Sequence, residues 1–386
     1  MRFSERTGWD LEENELSVAV REARAAGKEL FDLTVSNPTA CGFAYDDLLK
    51  PLGDAGALVY EPDALGRLRA REAVAAYYRD AGADVAVERI CLTTSTSEAY
   101  SFLFRLLCDP GDEVLIARPS YPLFEFIARL DDVKLVEYPL VYHECWQIDL
   151  HALEQAITER TRAVVVVHPN NPTGNFVSEE ERVALQEICA RRGLALIVDE
   201  VFLDYSLKIG AVEGVEARSF AVGLSGVLTF VLSGLSKVCG LPQMKVSWIV
   251  AAGPEEMVRE AMGRLEVIAD TFLSMNTPMQ FALPQWLGAR HGLQEQIRER
   301  MRVNLAMLDA RLAGTQASRL AMEGGWTAVL RVPRHVGGKA FVEAALGGGV
   351  IVQPGEFYGL SEGHVVVSLL TLPEVWRGGL ERLPKG

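Results

Sequence analysis

The chain has 386 residues, 49% hydrophobic and 23% charged, with a formal net charge of -14. This length and balance suit an ordered globular protein with a large core, in two domains or one large domain with a smaller appendage, and exclude a small binding module or a long disordered tract. The acidity argues against a nucleic-acid surface, because phosphate backbones are held by clustered lysines and arginines.

Six cysteines, at 41, 91, 108, 145, 189 and 239, form no CxxC pair and no metal-ligand spacing. They read as reduced thiols, mostly buried, in a cytoplasmic protein. The opening MRFSER lacks the apolar segment of a signal peptide, so export is not expected.

Along the chain, apolar runs of strand length occur at 89–93, 113–117, 163–167, 194–198 and 228–232. They are continuous rather than alternating, which predicts a largely parallel sheet covered on both faces. Helical patterns fall between them. In 97–107, Ala99, Phe102, Leu103 and Leu106 share one helical face. Ser178 to Glu181 has capping-box spacing and opens a helix to about Arg192. Strand and helix alternate, so the fold class is α/β.

The uncharged stretch 219–236 is borderline in length for a membrane span, but its glycines, serines and threonine fit a buried strand with its preceding loop better. His143 to Cys145 lacks the spacing of a metal-ligand set and reads as a polar loop. Residues 298–312 read as a long helix. Short strands at 328–332 and 365–370 then form a smaller α+β unit, which the N-terminal segment is expected to join. There is no repeat and no Pro/Ser-rich linker, so the boundaries fall within packed structure: 45–290 for a large domain, with 1–44 and 291–386 for a small one.

In open α/β sheets, ligands bind beyond the carboxyl ends of the strands. After Thr93 comes TSTSE (94–98), which is either a phosphate cradle at a helix start or a plain N-cap. After Val167 comes HPNNPTG (168–174), dense in turn residues, with two asparagines between prolines. Asp199 follows a buried apolar run, where an acid implies a positive partner unless it caps a helix or reaches the surface. Lys237, one of eight lysines, sits at the fourth strand end between Gly234 and Gly240. An amine held there can form an imine with an aldehyde cofactor; the alternative is an exposed loop lysine.

Taken together, these strand ends resemble the aspartate aminotransferase family, fold type I of the pyridoxal-phosphate enzymes, over nearly the whole chain. Asn170 to Gly174, Asp199 to Val201, and Ser236-Lys237 with Gly240 to Pro242 carry the resemblance. Ser36 to Pro38, Tyr60 with Gly66 and Arg69, PGDE (110–113), PSYP (119–122) and Pro354-Gly355 support it. It implies a large domain with a mostly parallel sheet sandwiched by helices, a smaller α+β domain, and pyridoxal 5'-phosphate as cofactor.

By the same resemblance, Lys237 carries the internal imine, Asp199 pairs with the pyridine nitrogen and Asn171 with the ring 3-oxygen. Tyr121 stacks on the ring, and Ser95, Thr96, Ser97 and Lys245 hold the phosphate. The resemblance further implies a homodimer in which Tyr60 reaches the neighbouring subunit's cofactor, and exchange between an amino donor and an oxo acceptor. The same residues would serve a lyase, a cyclase or a decarboxylase. A non-enzymatic cofactor-sensing regulator is a third reading, opposed by the acidity and by the absence of a basic helix-turn-helix before Ser36.

Four positions depart from the pattern. Phe202 stands where many relatives have a tyrosine, and Gly234 where a serine binds phosphate. Lys245 replaces an arginine, keeping the charge but losing the bidentate fork. Val366 stands where an arginine clamps the substrate α-carboxylate. Arg331 and Arg118 are candidate substitutes, and Asn37 and Trp326 are further candidates for the substrate side.

Overall fold

The apolar runs become five strands of an eight-stranded sheet, that at 89–93 on its edge, in a computed structural model that describes residues 1–207, 219–222, 226–273, 275–333 and 335–385. The strand order is Ile90–Thr93, Ser247–Ala252, Thr229–Gly234, Ala195–Asp199, Thr161–Val167, Glu113–Arg118, Lys134–His143, Cys145–Ile148. The strands from Thr229–Gly234 through Lys134–His143 are parallel. Ser247–Ala252 runs antiparallel to both neighbours, and Cys145–Ile148 folds back on Lys134–His143, so His143 to Cys145 is the turn of that hairpin.

Alternate residues of each strand divide between two cores, which is why the runs are continuously apolar. Leu196, Val198 and Val231 face a cluster with Trp248 and Leu283, whereas Ile197, Phe230 and Leu232 face one with Phe102, Leu103 and Leu265. The second cluster is closed by helices Thr96–Leu107 and Glu255–Phe272. Of the stretch 219–236, residues 223–225 lie outside the described residues, and Thr229–Gly234 is a fully buried strand. Among the described residues, no helix is long and apolar enough to cross a membrane.

The helix expected at 298–312 begins much earlier. It runs from Thr277 to Leu312, with Asn276 accepting the Met279 N–H at its start. Pro284 lies inside it and masks its continuity in the sequence, since proline forgoes one backbone bond. Burial of Leu283, Trp286, Leu287 and Ile297 holds the helix through that gap, and it passes without interruption through residue 290.

Beyond the helix, strands Ser318–Arg319, Thr327–Arg331, His364–Ser368 and Gln353–Pro354 form an antiparallel sheet. The N-terminal segment joins this end of the molecule: Phe31–Asp32 pairs with Val350–Ile351, and the Ser368 N–H donates to the Leu33 carbonyl at 2.7 Å. Helix Pro373–Arg382 lies close over it. A Cβ added to Gly378 would come 2.2 Å from the Phe31 ring, and one on Gly379 2.6 Å from Leu33. A third core, with Leu33, Ile297, Met301, Phe341, Val365 and Trp376, closes this unit.

Candidate active site

The carboxyl ends of the parallel strands open into a cavity of about 320 Å³. Ser95, Thr96, Ser97, Tyr121, Asn171, Asp199, Lys237, Lys245 and Trp326 line it, together with residues as far apart in sequence as Ser36 and Tyr358.

Ser95 is the N-cap of helix Thr96–Leu107, its hydroxyl accepting the Glu98 N–H at 3.1 Å, while the Thr94 N–H donates to Glu98 Oε2 at 2.7 Å. This reciprocal cap leaves the amides of Thr96 and Ser97, two residues that line the cavity, at the positive end of the helix dipole. The cap and the cradle are therefore one structure.

Asn170 and Asn171 divide their work. Asn170 is buried and turned into its own loop, its amide donating to Thr173 Oγ1 at 2.7 Å and to the Pro119 carbonyl at 3.2 Å. Asn171 lines the cavity, where the Thr327 hydroxyl lies 3.5 Å from its Oδ1 and donates to the Pro172 carbonyl at 2.9 Å. The amide nitrogen of Asn171 is left for whatever occupies the cavity.

Asp199 ends its strand 7% exposed. The Tyr100 hydroxyl donates to its Oδ2 and the Val201 N–H to its Oδ1, each at 3.1 Å. Burial pushes its carboxyl up to about 6, against the pull of those two donors and of Lys237. An additional positive partner in the cavity would therefore be strongly favoured by this group.

Lys237 follows the strand end by three residues, on the single helical turn Leu235–Val238. Its backbone is pinned: its carbonyl accepts from the Tyr205 hydroxyl at 2.7 Å, and Gln294 donates to the neighbouring Val238 carbonyl at 2.9 Å. Its Nζ lies over the rings of Trp326 (5.1 Å) and Phe202 (5.5 Å). Burial lowers the ammonium pKa, opposed by the charge of Asp199. The exposed-loop alternative for this lysine is thereby removed.

Other candidates lie elsewhere. Arg331 is exposed at its strand end, with its guanidinium 5.5 Å from the Tyr142 ring. Arg118 is held outside the cavity by Glu137 and the Gly359 carbonyl. Asn37 accepts from Thr39 to cap a short turn, while its neighbour Ser36 lines the cavity. Tyr60 is 71% exposed and away from this cavity, in a cleft with Asp63 and Asp270. Val366 is buried in the core beside Val329 and Leu360. Among the described residues, the only cations lining the cavity are Lys237 and Lys245.

Sequence reading missed Tyr100, Thr327, Tyr358 and Ser247, all of which line the cavity. Tyr100 had a usable signal, since it lies four residues after Thr96 and therefore on the same helical face. The other three are brought in by strand pairing and loop packing, which leave no local trace.

An amine, a buried carboxylate, an amide and a hydroxyl-bearing helix start converging on one cavity fit an aldehyde-bearing, phosphorylated pyridine ring, and with the fold they define a fold type I pyridoxal-phosphate protein. The model of the aminotransferase class I and II family matches residues 11–377, and the chain belongs to that family.

The glutamate-pyruvate aminotransferase AlaA of Escherichia coli K12 is 31% identical over 272 residues, covering 70% of this chain and 66% of that protein. An alanine aminotransferase of Mycobacterium tuberculosis H37Rv is 31% identical over 277 residues, covering 70% and 63%. The match thus spans just under two thirds of these relatives' length. The solved structure of an alanine aminotransferase from Pyrococcus furiosus superimposes with a TM-score of 0.87 at 25% identity, covering 99% of this chain and 98% of that one. These relatives do not favour the lyase, cyclase, decarboxylase or cofactor-sensing readings.

Proposed function

We propose that this chain is a pyridoxal-phosphate-dependent aminotransferase, moving an amino group between an amino acid or related amine and an oxo acid. The convergence of Lys237, Asp199 and Asn171 with the helix-start hydroxyls on one cavity carries the reading. When bound, the cofactor supplies an electron sink for the pair left behind as a substrate's α-proton departs.

Asp199 would hold the pyridine nitrogen protonated, for which it must be ionised, and the Tyr100 O–H and Val201 N–H favour that form against burial. Lys237 Nζ would hold the cofactor covalently and, when free, would take the α-proton as a neutral amine, a state that its burial favours. Asn171 would hold the ring oxygen, without help from the hydroxyl-free Phe202, and Tyr121 would hold the ring. Ser95, Thr96, Ser97 and Lys245 would hold the phosphate.

On the substrate side, the named activities of the relatives suggest small amino acids such as alanine and glutamate with their oxo acids. The wall offers a carboxylate the Ser36 hydroxyl as a neutral donor, alongside the cations Lys237 and Lys245. We further propose a cytoplasmic homodimer with Tyr60 contributing to the neighbouring site, and a large domain of 45–290 with a small domain of 1–44 and 291–386.

The test is half-reaction spectroscopy. Wild-type protein loaded with cofactor should show the absorption band of the lysine-linked form, and alanine or glutamate should convert it to pyridoxamine phosphate with release of the oxo acid. Lys237→Ala should lack both the band and turnover. Ammonia release without that conversion would overturn transamination.

A further inference from the structure

Gly234 and Ser247 are directly paired across adjacent strands, and on its other side Ser247 is paired with Thr93. Ser247 therefore sits between the strand that leads into the Ser95–Ser97 cradle and the strand that leads to Lys237. It lines the same cavity as both, is 2% exposed, and its hydroxyl has no hydrogen-bond partner among the described residues. A hydroxyl that lines the cavity without a protein partner is available to an occupant of that cavity, as donor and as acceptor.

The glycine opposite has a spatial cause. Its backbone is extended, at φ 179° and ψ 166°, which any residue can adopt. Space is what forbids a side chain: a Cβ at 234 would come 2.2 Å from Ser247 Oγ, 2.9 Å from Ser247 Cβ and 3.0 Å from the Val246 carbonyl. A serine at 234 and a serine at 247 cannot coexist in this arrangement.

We propose that Ser247 supplies a phosphate-binding hydroxyl to the cradle, and that Gly234 is glycine because the hydroxyl enters from the neighbouring strand. The assignment rests on the cofactor reading above. It also accounts for the departure at Gly234, since the site has moved its hydroxyl from one strand to the next without losing it. Lys245, two residues earlier on the same segment, supplies charge to the same group, so the phosphate is gripped from Lys245 to Ser247 on one side and from the helix start on the other.

The test titrates the cofactor-free full-length chain with pyridoxal 5'-phosphate and, separately, with pyridoxal, which lacks the phosphate, following the absorption band of the lysine-linked form. Ser247→Ala and Ser247→Gly should each weaken the phosphorylated probe about tenfold, the loss of one hydrogen bond to an anion, while leaving pyridoxal unchanged. Gly234→Ser alone should weaken the phosphorylated probe or the fold, and Gly234→Ser with Ser247→Gly should return its affinity to within a few fold of wild type.

Unchanged affinity in both Ser247 variants, equal losses for the two probes, or a paired exchange that folds but binds no better than Gly234→Ser would each overturn the assignment. Failure of the wild-type chain to form the band with either probe would overturn the cofactor reading itself, and this assignment with it.

Discussion

Asp199 and Glu200 are adjacent acids in one buried strand end, and their surroundings set them to different tasks. Asp199 faces the cavity. Glu200 faces the interior, 1% exposed, accepting from the Phe220 N–H at 2.6 Å and the Ser219 hydroxyl at 2.7 Å. Burial is the larger influence, and it raises the Glu200 carboxyl from an ordinary 4.5 to about 8, against those donors and Arg182.

The folded chain therefore holds this proton more tightly than the unfolded chain. The contribution to stability is fully present below about pH 4.5 and is lost as pH rises towards 8. Glu200→Gln should flatten the fall in thermal midpoint of the cofactor-free protein between about pH 5 and 8. An unchanged pH profile in the variant would show that Glu200 is ionised at neutral pH.

At the scale of elements, the asparagine turn is fastened to the segment that carries Trp326 and Thr327. The Gly174 carbonyl accepts the N–H groups of Glu323 (2.9 Å) and Gly324 (2.8 Å). Gly174 has φ +72°, and a Cβ there would come 2.5 Å from the Gly324 carbonyl. Gly174→Ala combines an unfavourable left-handed backbone with a backbone clash and should cost on the order of 2–3 kcal/mol, read from the denaturant midpoint. It should also loosen cofactor binding, because Asn171 rides on the same turn; a variant as stable as wild type would refute the clip.

Elements differ in how much of them is local. The capping box at Ser178 forms as its spacing predicts, with the Ser178 hydroxyl accepting from Glu181 and the Glu181 carboxylate from Ser178, and the helix ends at left-handed Gly193. Yet Glu181 also accepts the Ile148 N–H at 2.7 Å, 33 residues away, a bond that no local pattern announces. The antiparallel course of Ser247–Ala252 is equally silent in sequence, because a fully buried strand is apolar whichever way it runs.

At the scale of the whole molecule, Tyr60 lies on the surface with exposed Leu58 and Val59, remote from the cavity of its own chain. The homodimer proposed above gives it a place at a neighbouring site. Mixing Tyr60→Ala with Lys237→Ala subunits, each of low activity alone, should then recover activity. Random exchange makes about half of the dimers mixed, each with one intact site of two, so about a quarter of wild-type activity is expected. No recovery after demonstrated subunit exchange would exclude a shared site.

By itself, the sequence determined the α/β class, the approximate strands and caps, and the identities of Lys237, Asp199 and Asn171 as residues at strand ends. Those features rest on local period, turn chemistry and the rule that ligands lie beyond strand carboxyl ends, all of which are written over short stretches. Tertiary structure decided that Tyr100 holds Asp199, that Arg331 and Arg118 stay out of the cavity, that the long helix continues through Pro284, and that Ser247 stands against Gly234. Each of these depends on packing between segments distant in sequence, and the space left by one side chain is set by another that only folding brings beside it.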